Sequence, residues 1–514
     1  VNVLLHALNA LLVWRVLRAL GVPGALAAAC VFALHPVHVE SVAWITERKN
    51  VLSGAFYLAA MLACLRFLQL HATAQDSAPR RAAYWAGLLL FACALLSKTV
   101  TATLPAVLLL LIWWKRGRVR PHEWAHLAPF LVMGLFAGLL TAWLEKHHVG
   151  ASGQEWNLSA VERILIAGRA LWFYAGKLVW PAELTFIYPR WKIDAGAWQQ
   201  YVFAAAAVAV LVALRLLRGR IGRGPLVATL AFAGTLLPVL GFFDVFPFRY
   251  SFVADHFQYL ASLGLIALGT AVAASLLSHL GNAGRPVSVA LSAAVLIALG
   301  FRVWQQGRIY ADLETLWQDT LAKNPQAWMA HNNLGTVYEE RGELTNATYH
   351  YSETLRLKPD HARAHVNLGN ICYRQKDLEG AIRHFAEAVR IDPRFGEAYS
   401  NWGAALYQQG KLSEAIDRYE RALAIHPDDP RALRNQSLAL YRQGQVEEAL
   451  RRMDQAIRLE PGYVNAHLSL GQMLAEQNRV QEAMDAFRRV LRIQPDHAKA
   501  REQLAVLQAR LAER

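Results

Sequence analysis

The chain has 514 residues, of which 55% are hydrophobic, and it carries a formal net charge of +14. It is too apolar for an average soluble protein and too long for one domain. The basic excess lies in residues 1–309, with 26 Lys and Arg against 11 Asp and Glu, whereas residues 310–514 have 27 against 28. Basic residues beside apolar segments indicate a membrane protein. We therefore expect the lipid bilayer as a partner and no nucleic acid.

Residues 1–309 contain apolar segments long enough, or nearly long enough, to cross a bilayer as helices. Ten such segments lie near residues 1–14, 23–36, 50–69, 82–96, 99–114, 126–143, 201–217, 225–243, 256–277 and 287–304. An eleventh segment, 164–180, contains Arg169 and Lys177, which favours an interfacial or re-entrant helix. Lys and Arg collect in alternate loops, which we expect to be cytoplasmic. This predicts a multi-pass protein of the inner or plasma membrane, with the polar half on the non-cytoplasmic side.

Residues 310–514 repeat with a period of 34 residues. Proline recurs at Pro325, Pro359, Pro393, Pro427, Pro461 and Pro495, and alanine recurs at Ala347, Ala381, Ala415, Ala449 and Ala483. This pattern resembles the tetratricopeptide repeat (TPR), in which pairs of antiparallel helices stack into a superhelix. We predict a linker and half-repeat helix over 310–327, five repeats over 328–497 and a capping helix over 498–514. The predicted fold is thus all-α, a polytopic membrane helix bundle followed by a TPR solenoid.

One position of the repeats forms a ladder of asparagines. Its members are Asn333, Asn367, Asn401 and Asn435. A side-chain amide both donates and accepts hydrogen bonds. A row of amides along a groove can therefore bind the backbone of an extended peptide regardless of the peptide's sequence. The alternative is that these side chains only stabilise local turns.

The stretch from His35 to Asn50 places two His, two Glu, an Arg and a Lys between two apolar segments. Ionisable groups at a membrane boundary are costly, so they indicate a functional site. His35 and His38 are three residues apart, but Pro36 favours a turn, so capping and loop packing compete with metal binding. No Cys/His spacing suggests zinc, and we predict no metal site.

Four motifs stand out: the stretch from His35 to Ser53, Leu-Leu-Ser-Lys ending at Lys98, Thr-Leu-Pro ending at Pro105, and Ala254 to Leu260. Followed by the repeats, they resemble the transmembrane and tetratricopeptide repeat-containing O-mannosyltransferases and their bacterial relatives. The resemblance implies a C-type membrane glycosyltransferase whose donor is a polyprenyl-phosphate sugar. It also implies essential carboxylates in a first outward loop, which we expect before Val1. His256 departs from the family pattern, which has Asp-Arg-Tyr there.

Sugar transfer to a hydroxyl needs a carboxylate as base and cations to hold the leaving phosphate. Arg48 is our first candidate for the phosphate, with Lys49 and Lys98 as further candidates, although Arg48 and Lys49 also fit interfacial snorkelling. Glu40 and Glu47 are candidates for catalysis or for holding Arg48. His35, His38, Asp255 and His256 are supporting candidates, and Asp255 also fits a helix N-cap.

The predicted function is transfer of a sugar, such as mannose, from a polyprenyl-phosphate carrier to Ser or Thr hydroxyls of exported proteins. The TPR groove would bind the acceptor polypeptide. No cofactor beyond the lipid-linked donor is predicted. Two alternatives stay open: a non-catalytic membrane-anchored TPR scaffold for protein assembly, and a transferase that acts on a lipid-linked glycan.

Overall fold

The computed structural model describes residues 1–70, 80–149, 156–279 and 284–512. These residues form helices, turns and loops, and no β-strand occurs in the described ranges. The chain divides into two compact units, Val1–Ala327 and Trp328–Arg514. Residues 310–327, predicted as a linker and half-repeat helix, therefore belong to the first unit.

The first unit contains thirteen α-helices in the described ranges. They are α1 Asn2–Ala19, α2 Ala25–Leu34, α3 Val39–Ala43, α4 Arg48–Phe67, α5 Arg80–Ser97, α6 Leu104–Arg116, α7 Pro121–Leu144, α8 Ala160–Val179, α9 Tyr201–Ile221, α10 Gly224–Leu236, α11 Ser262–Ser278, α12 Gly284–Arg308 and α13 Leu313–Lys323. Short 3-10 turns at Pro36–His38, Thr99–Thr103 and Asp255–Gln258 interrupt this series.

Five helical segments of the described residues are long and apolar enough to cross a membrane. They are Ile45–Phe67, Thr99–Arg116, Pro121–Val149, Trp198–Ile221 and Pro286–Arg308. A sixth span is formed if Ala25–Leu34 and Pro36–Ala43, which meet at 54°, are counted together. Three shorter apolar helices, Arg81–Ser97, Gly224–Val239 and Ser262–Ser278, accompany them. The ten spans expected from the sequence stay a prediction, as does the side of the membrane on which each loop lies.

Small residues allow the apolar helices of the first unit to pack closely. A Cβ on Gly168 of α8 would lie 2.7 Å from the backbone of Ala204 of α9. A Cβ on Gly264 of α11 would lie 2.6 Å from the carbonyl oxygen of Ala228 of α10. Close backbone approach at small residues is the usual packing of helices in lipid, where dispersion contacts replace the hydrophobic effect between helices.

Basic residues tie several helix ends together at one end of the unit. Lys115 donates to the carbonyl oxygen of Leu20, and Arg116 donates to that of Leu68. Arg116 also pairs with Glu123, whose side chain is buried. The ends of α1, α4 and α6 therefore lie together, as expected if their basic loops share one face of a membrane.

Helix α13 packs on the loop that follows α8. The ring of Trp317 lies edge-on to Phe186, with centroids 5.3 Å apart. Lys323 Nζ donates to the carbonyl oxygen of Leu184 at 2.8 Å, and Asn324 Nδ2 donates to that of Ile187 at 3.2 Å. These contacts explain why the half-repeat helix is part of the first unit.

The second unit consists of five helix pairs and a final helix. The pairs are α14 Trp328–Glu340 with α15 Leu344–Leu357, α16 Ala362–Arg374 with α17 Leu378–Ile391, α18 Gly396–Gln408 with α19 Leu412–Ile425, α20 Pro430–Arg442 with α21 Val446–Leu459, and α22 Val464–Glu476 with α23 Val480–Ile493. The final helix is α24 Ala498–Ala512. The repeating alanine of each second helix is fully buried, because it lies where the two helices of a pair meet.

In four of the repeats, a glycine of the first helix packs against an aromatic ring of the second helix. The ring of Phe487 covers Gly471 so closely that a Cβ there would lie 2.6 Å from a ring carbon. The same relationship joins Gly335 with Tyr351, Gly369 with Phe385, and Gly403 with Tyr419. In the fourth repeat Ser437 replaces the glycine and the slimmer Met453 replaces the ring, and both are fully buried. The glycine position and the ring position of a repeat thus fill one common volume, and a larger residue at one requires a slimmer residue at the other, because protein interiors are close-packed.

Candidate functional site

Glu40 and His256 form a buried pair within the first unit. Glu40 lies in α3, directly after the turn that Pro36 starts, and only 4% of its surface is exposed. Its Oε1 lies 2.8 Å from Nδ1 of His256, and its Oε2 accepts the backbone N–H of His256 at 3.1 Å. Nδ1 is thereby committed to the carboxylate, which leaves Nε2 as the ring nitrogen that can meet a ligand.

Glu47 and Lys98 form a second buried pair. Glu47 is 2% exposed, and its Oε2 lies 3.0 Å from Lys98 Nζ. The more exposed Lys49 approaches Oε1 of the same carboxylate at 3.4 Å. Burial lowers the pKa of Lys98, and the negative charge of Glu47 opposes that shift. A buried carboxylate thus keeps a cationic partner, which offsets part of the cost of removing both charges from water.

Asn50 joins the two pairs. Its Oδ1 accepts from Lys98 Nζ at 3.2 Å, while its Nδ2 donates to the carbonyl oxygen of His256 and to Ser41 Oγ, both at 2.8 Å. We refer to Glu40, Glu47, Asn50, Lys98 and His256 as the polar cluster. Sequence reasoning did not select Asn50, although its place in the first turn of an apolar helix is an unusual position for a buried amide.

Asp255 lies beside the polar cluster and bonds to Tyr188. The Tyr188 hydroxyl donates to the Asp255 carboxylate, with oxygen distances of 2.9 and 3.1 Å. Burial, followed by the charge of Glu40, raises the pKa of the Asp255 carboxyl well above its usual range. Ala254 occupies the N-cap position of this turn, so the N-cap interpretation of Asp255 is wrong.

His35 and His38 bond to the surrounding chain. His35 Nε2 lies 3.0 Å from the carbonyl oxygen of Leu178, and its Nδ1 accepts the backbone N–H of Val37. His38 Nδ1 lies 2.8 Å from the carbonyl oxygen of Phe32, and its Nε2 lies 3.0 Å from Ser262 Oγ. Both rings therefore support the turn and its packing. Within the described residues no group of three or more His, Cys, Asp or Glu could hold a metal ion.

Arg48 and Lys49 are more exposed than the residues of the polar cluster, although Lys49 contacts Glu47. Both are exposed at the start of α4, whereas Glu47 and Asn50 on either side of them are buried. The predicted contact between Glu40 and Arg48 is replaced by the bond from Glu40 to His256. The Arg48 side chain is therefore accessible from outside the helices.

All four ladder asparagines are half-buried on the first helix of a repeat. Asn401 and Asn435 line a surface cavity of about 750 Å³, together with Arg363, Arg394, Glu397 and Arg431. Asn401 Nδ2 also donates to Asn370 Oδ1 at 3.0 Å, so this amide is part of a short polar row. The structure thus places two ladder members in one groove, and the cavity wall does not include Asn333 or Asn367.

Known family models match the repeat region. A model described as "TPR repeat" matches residues 335–376, 369–410 and 403–444, and one described as "Tetratricopeptide repeat" matches 435–498. The repeats of the second unit are tetratricopeptide repeats. The chain therefore contains a TPR domain, and domains of this type generally bind peptides or proteins.

Solved TPR structures resemble this region of the chain. YrrB, described as a TPR protein with an unusual peptide-binding site, is 22% identical over 36% of this chain and 96% of its own, with a TM-score of 0.31. MamA is 23% identical over 32% and 97%, with a TM-score of 0.30. Pseudomonas aeruginosa pilF is 20% identical over 40% and 89%, with a TM-score of 0.34. No curated protein is similar enough to count as a relative of the chain.

Proposed function

We propose that this protein is a membrane glycosyltransferase that binds its acceptor polypeptide through the TPR groove. The donor is a sugar carried on a polyprenyl phosphate, and the acceptor is a Ser or Thr hydroxyl of an exported protein. The protein would lie in the inner or plasma membrane, with the repeats on the non-cytoplasmic side. The observation that carries the proposal is the polar cluster.

Burying the charged groups of the polar cluster in an apolar unit costs free energy, which indicates that the cluster has a function. Two carboxylates with 4% and 2% exposure, Glu40 and Glu47, lie among helices whose other buried residues are mainly apolar. A packed core of hydrophobic residues would be as stable as, or more stable than, such buried ion pairs. Ionisable groups kept in a membrane-embedded bundle are by default functional. The resemblance of the same stretch to a glycosyltransferase motif points to the chemistry.

The proposed reaction is a displacement at the anomeric carbon of the donor sugar. The acceptor oxygen forms a bond to that carbon, and the bond from the carbon to the phosphate oxygen breaks. In this proposal the base is the imidazole of His256, and not the carboxylate that the sequence analysis expected. Its Nδ1 is held by Glu40, and its Nε2 takes the hydroxyl proton. The polyprenyl phosphate leaves with the bonding electrons, and the exposed cations Arg48 and Lys49 bind its charge.

Transfer by isolated membranes tests the proposal. Membranes that contain the full-length protein, incubated with radiolabelled polyprenyl-phosphate mannose and a Ser/Thr-rich peptide, should label the peptide. Glu40→Gln and Arg48→Ala should each reduce labelling by about 100-fold or more, the loss expected for a proton-transfer or phosphate-binding group. Arg81→Ala, a basic residue on a different helix, is the matched control. Full activity of both site variants would exclude the roles given to them.

A scaffold without catalysis is the second candidate. Both Glu40 oxygens and the Glu47 carboxylate already have partners within the chain, which would also suit purely structural ion pairs. In that case the groove would assemble proteins at the membrane, and no lipid-linked sugar would be consumed. A third candidate is transfer to a lipid-linked glycan, in which the polar cluster would have the same role and only the acceptor would differ. It would be recognised by a labelled lipid product and an unlabelled peptide in the same assay.

A further inference from the structure

The first unit contains a cavity whose lining includes no residue of the polar cluster. It has a volume of about 410 Å³ and is lined almost wholly by apolar side chains, among them Leu111, Ala228, Ala231, Leu263, Ala267 and Val272. Its volume is in the range of about 300 to 1,000 Å³ that is typical of small-molecule sites. We call it the apolar groove. An apolar groove of this size in a membrane protein suits a hydrocarbon chain.

The apolar groove extends along α11 toward the basic end of the unit. Its lining begins at Leu260, just before α11, and continues to Leu276, near the end of that helix. The groove meets α4 at Tyr57 and Met61, whereas Asn50 of the polar cluster lies in the first turn of α4. The groove therefore contacts α4 from its middle onward, away from Asn50.

Two cations lie next to residues that line the basic end of the groove. Leu20, Trp114 and Gly224 line the groove there. Lys115 donates to the carbonyl oxygen of Leu20, and its Nζ lies 4.2 Å from the ring centroid of Trp114. Arg223 precedes Gly224, and its Nη1 donates to the carbonyl oxygen of Trp113 at 3.4 Å. An apolar groove with a lysine and an arginine beside its lining residues is complementary to a molecule with a hydrocarbon chain and an anionic head.

We propose that the apolar groove binds one anionic glycerophospholipid, with an acyl chain along α11 and its phosphate between Lys115 and Arg223. Ammonium and guanidinium groups bind phosphate oxygens through charge-assisted hydrogen bonds, and clustered cations beside a membrane helix attract anionic lipids. The buried chain adds the hydrophobic term, which grows with each methylene removed from water. The site is independent of the proposed transferase chemistry.

A helix of another protein fits the groove less well. A helix with its side chains is about 10 Å across. Gly264 and Ala228, which both line the groove, bring α11 and α10 into backbone contact, so the floor of the groove is closed. A single chain can follow such a narrow cleft, whereas a second helix would require α10 and α11 to separate.

Photolabelling tests this proposal in vesicles that contain equal parts of phosphatidylglycerol and phosphatidylcholine. The probes are phosphatidylglycerol and phosphatidylcholine, each with a diazirine in one acyl chain. The phosphatidylglycerol probe should label peptides of α10 and α11, about five-fold or more above the phosphatidylcholine probe. Lys115→Gln combined with Arg223→Gln should abolish that difference. Arg218→Gln, an exposed basic residue of α9, should leave it unchanged.

A substitution inside the groove tests the contribution of the acyl chain separately from that of the phosphate. Ala271→Trp should displace the acyl chain and reduce labelling of α11, whereas Ala209→Trp on an exposed face of α9 should not. Circular dichroism checks that each variant is folded, and Ala231→Leu replaces Ala271→Trp if the larger side chain prevents folding. Equal labelling by both probes, labelling only outside the groove, or a crosslink to a second copy at α11 would each overturn the proposal.

Discussion

Nδ1 of His256 lies 2.8 Å from Oε1 of Glu40, although the two residues are 216 positions apart in the chain. This pair connects the polar stretch after α2 with the turn before α11. It aligns a carboxylate with an imidazole inside an apolar unit, where the mutual attraction of the two groups is stronger than in water. The first prediction concerns the strength of this connection.

Glu40→Gln and His256→Phe should be non-additive in the free energy of unfolding. A hydrogen bond to a charged group contributes about 1.5 to 3 kcal/mol, and the double variant loses it only once. The measurement is a double-mutant cycle from thermal unfolding of the detergent-solubilised protein. Additive effects would show that the pair makes no net contribution to stability.

Lys98→Met should be much more harmful than Lys49→Met. Lys98 is the 3.0 Å partner of Glu47, so its removal leaves a buried carboxylate without its main cation, at a cost of about 3 to 5 kcal/mol. The Lys49 side chain is 54% exposed, and its pairing with Glu47 is screened by water. Adding Glu47→Gln to Lys98→Met should restore part of the melting temperature. Equal effects of the two lysine variants would contradict this ranking.

Gly471→Ala should destabilise the fifth repeat. The new Cβ would lie 2.6 Å from the Phe487 ring, and overpacking of this kind costs about 1 to 3 kcal/mol. Gly462→Ala is the matched control, because a Cβ there meets nothing within 4 Å. Adding Phe487→Met should rescue Gly471→Ala, since the fourth repeat combines Ser437 with Met453. Hydrogen exchange of α22 and α23 measures the effect, and failure of the rescue would contradict the space-sharing interpretation.

The first two repeats should lose stability on acidification. His331 and His350 approach at 3.0 Å between their Nδ1 atoms, and His365 and His384 approach at 3.1 Å. Burial, with the neighbouring His331, lowers the pKa of His350 from 6.5 to about 4. The folded state therefore favours the neutral ring. Stability is present above pH 6.5 and decreases as the pH falls toward 4, because the unfolded chain binds the proton first.

Hydrogen exchange at pH 7 and pH 5, corrected for the intrinsic exchange rate, checks this pH dependence. Protection of α14 to α17 should decrease more than protection of α20 to α23. His350→Gln combined with His384→Gln should reduce the difference between the two regions. An unchanged pH response in that variant would show that other groups are responsible.

Asn401 and Asn435 should contribute more to peptide binding than Asn333 and Asn367. Only the former two line the groove cavity, and each lost amide contact should weaken binding by about two- to ten-fold. Fluorescence anisotropy with a labelled acceptor peptide compares Asn401→Ala with Asn435→Ala against Asn333→Ala with Asn367→Ala in the full chain. Equal losses in both pairs would favour a peptide path along all four ladder residues.

Much of the repeat unit follows from local sequence. The 34-residue period sets the length of each helix pair. Its alanines and prolines make contacts only within one repeat or with the neighbouring repeat, so the pattern can be recognised locally. The five predicted repeats and the capping helix correspond to α14–α23 and α24 in the structure. The sequence also predicted a half-repeat helix where the structure has α13. Its contacts with Phe186 and Leu184 were not predicted, because they come from a loop more than a hundred residues earlier.

Residues 35–50 are recognisable from the sequence as a polar stretch between apolar helices, because burial costs depend on residue type. The partners of its carboxylates depended on the tertiary structure. Glu40 bonds to His256 and Glu47 to Lys98, and Asn50 joins both pairs. Apolar helices slide and rotate with little change in transfer energy, so composition cannot select these contacts. Close packing at small residues selects them, and it acts only when all the helices are in place.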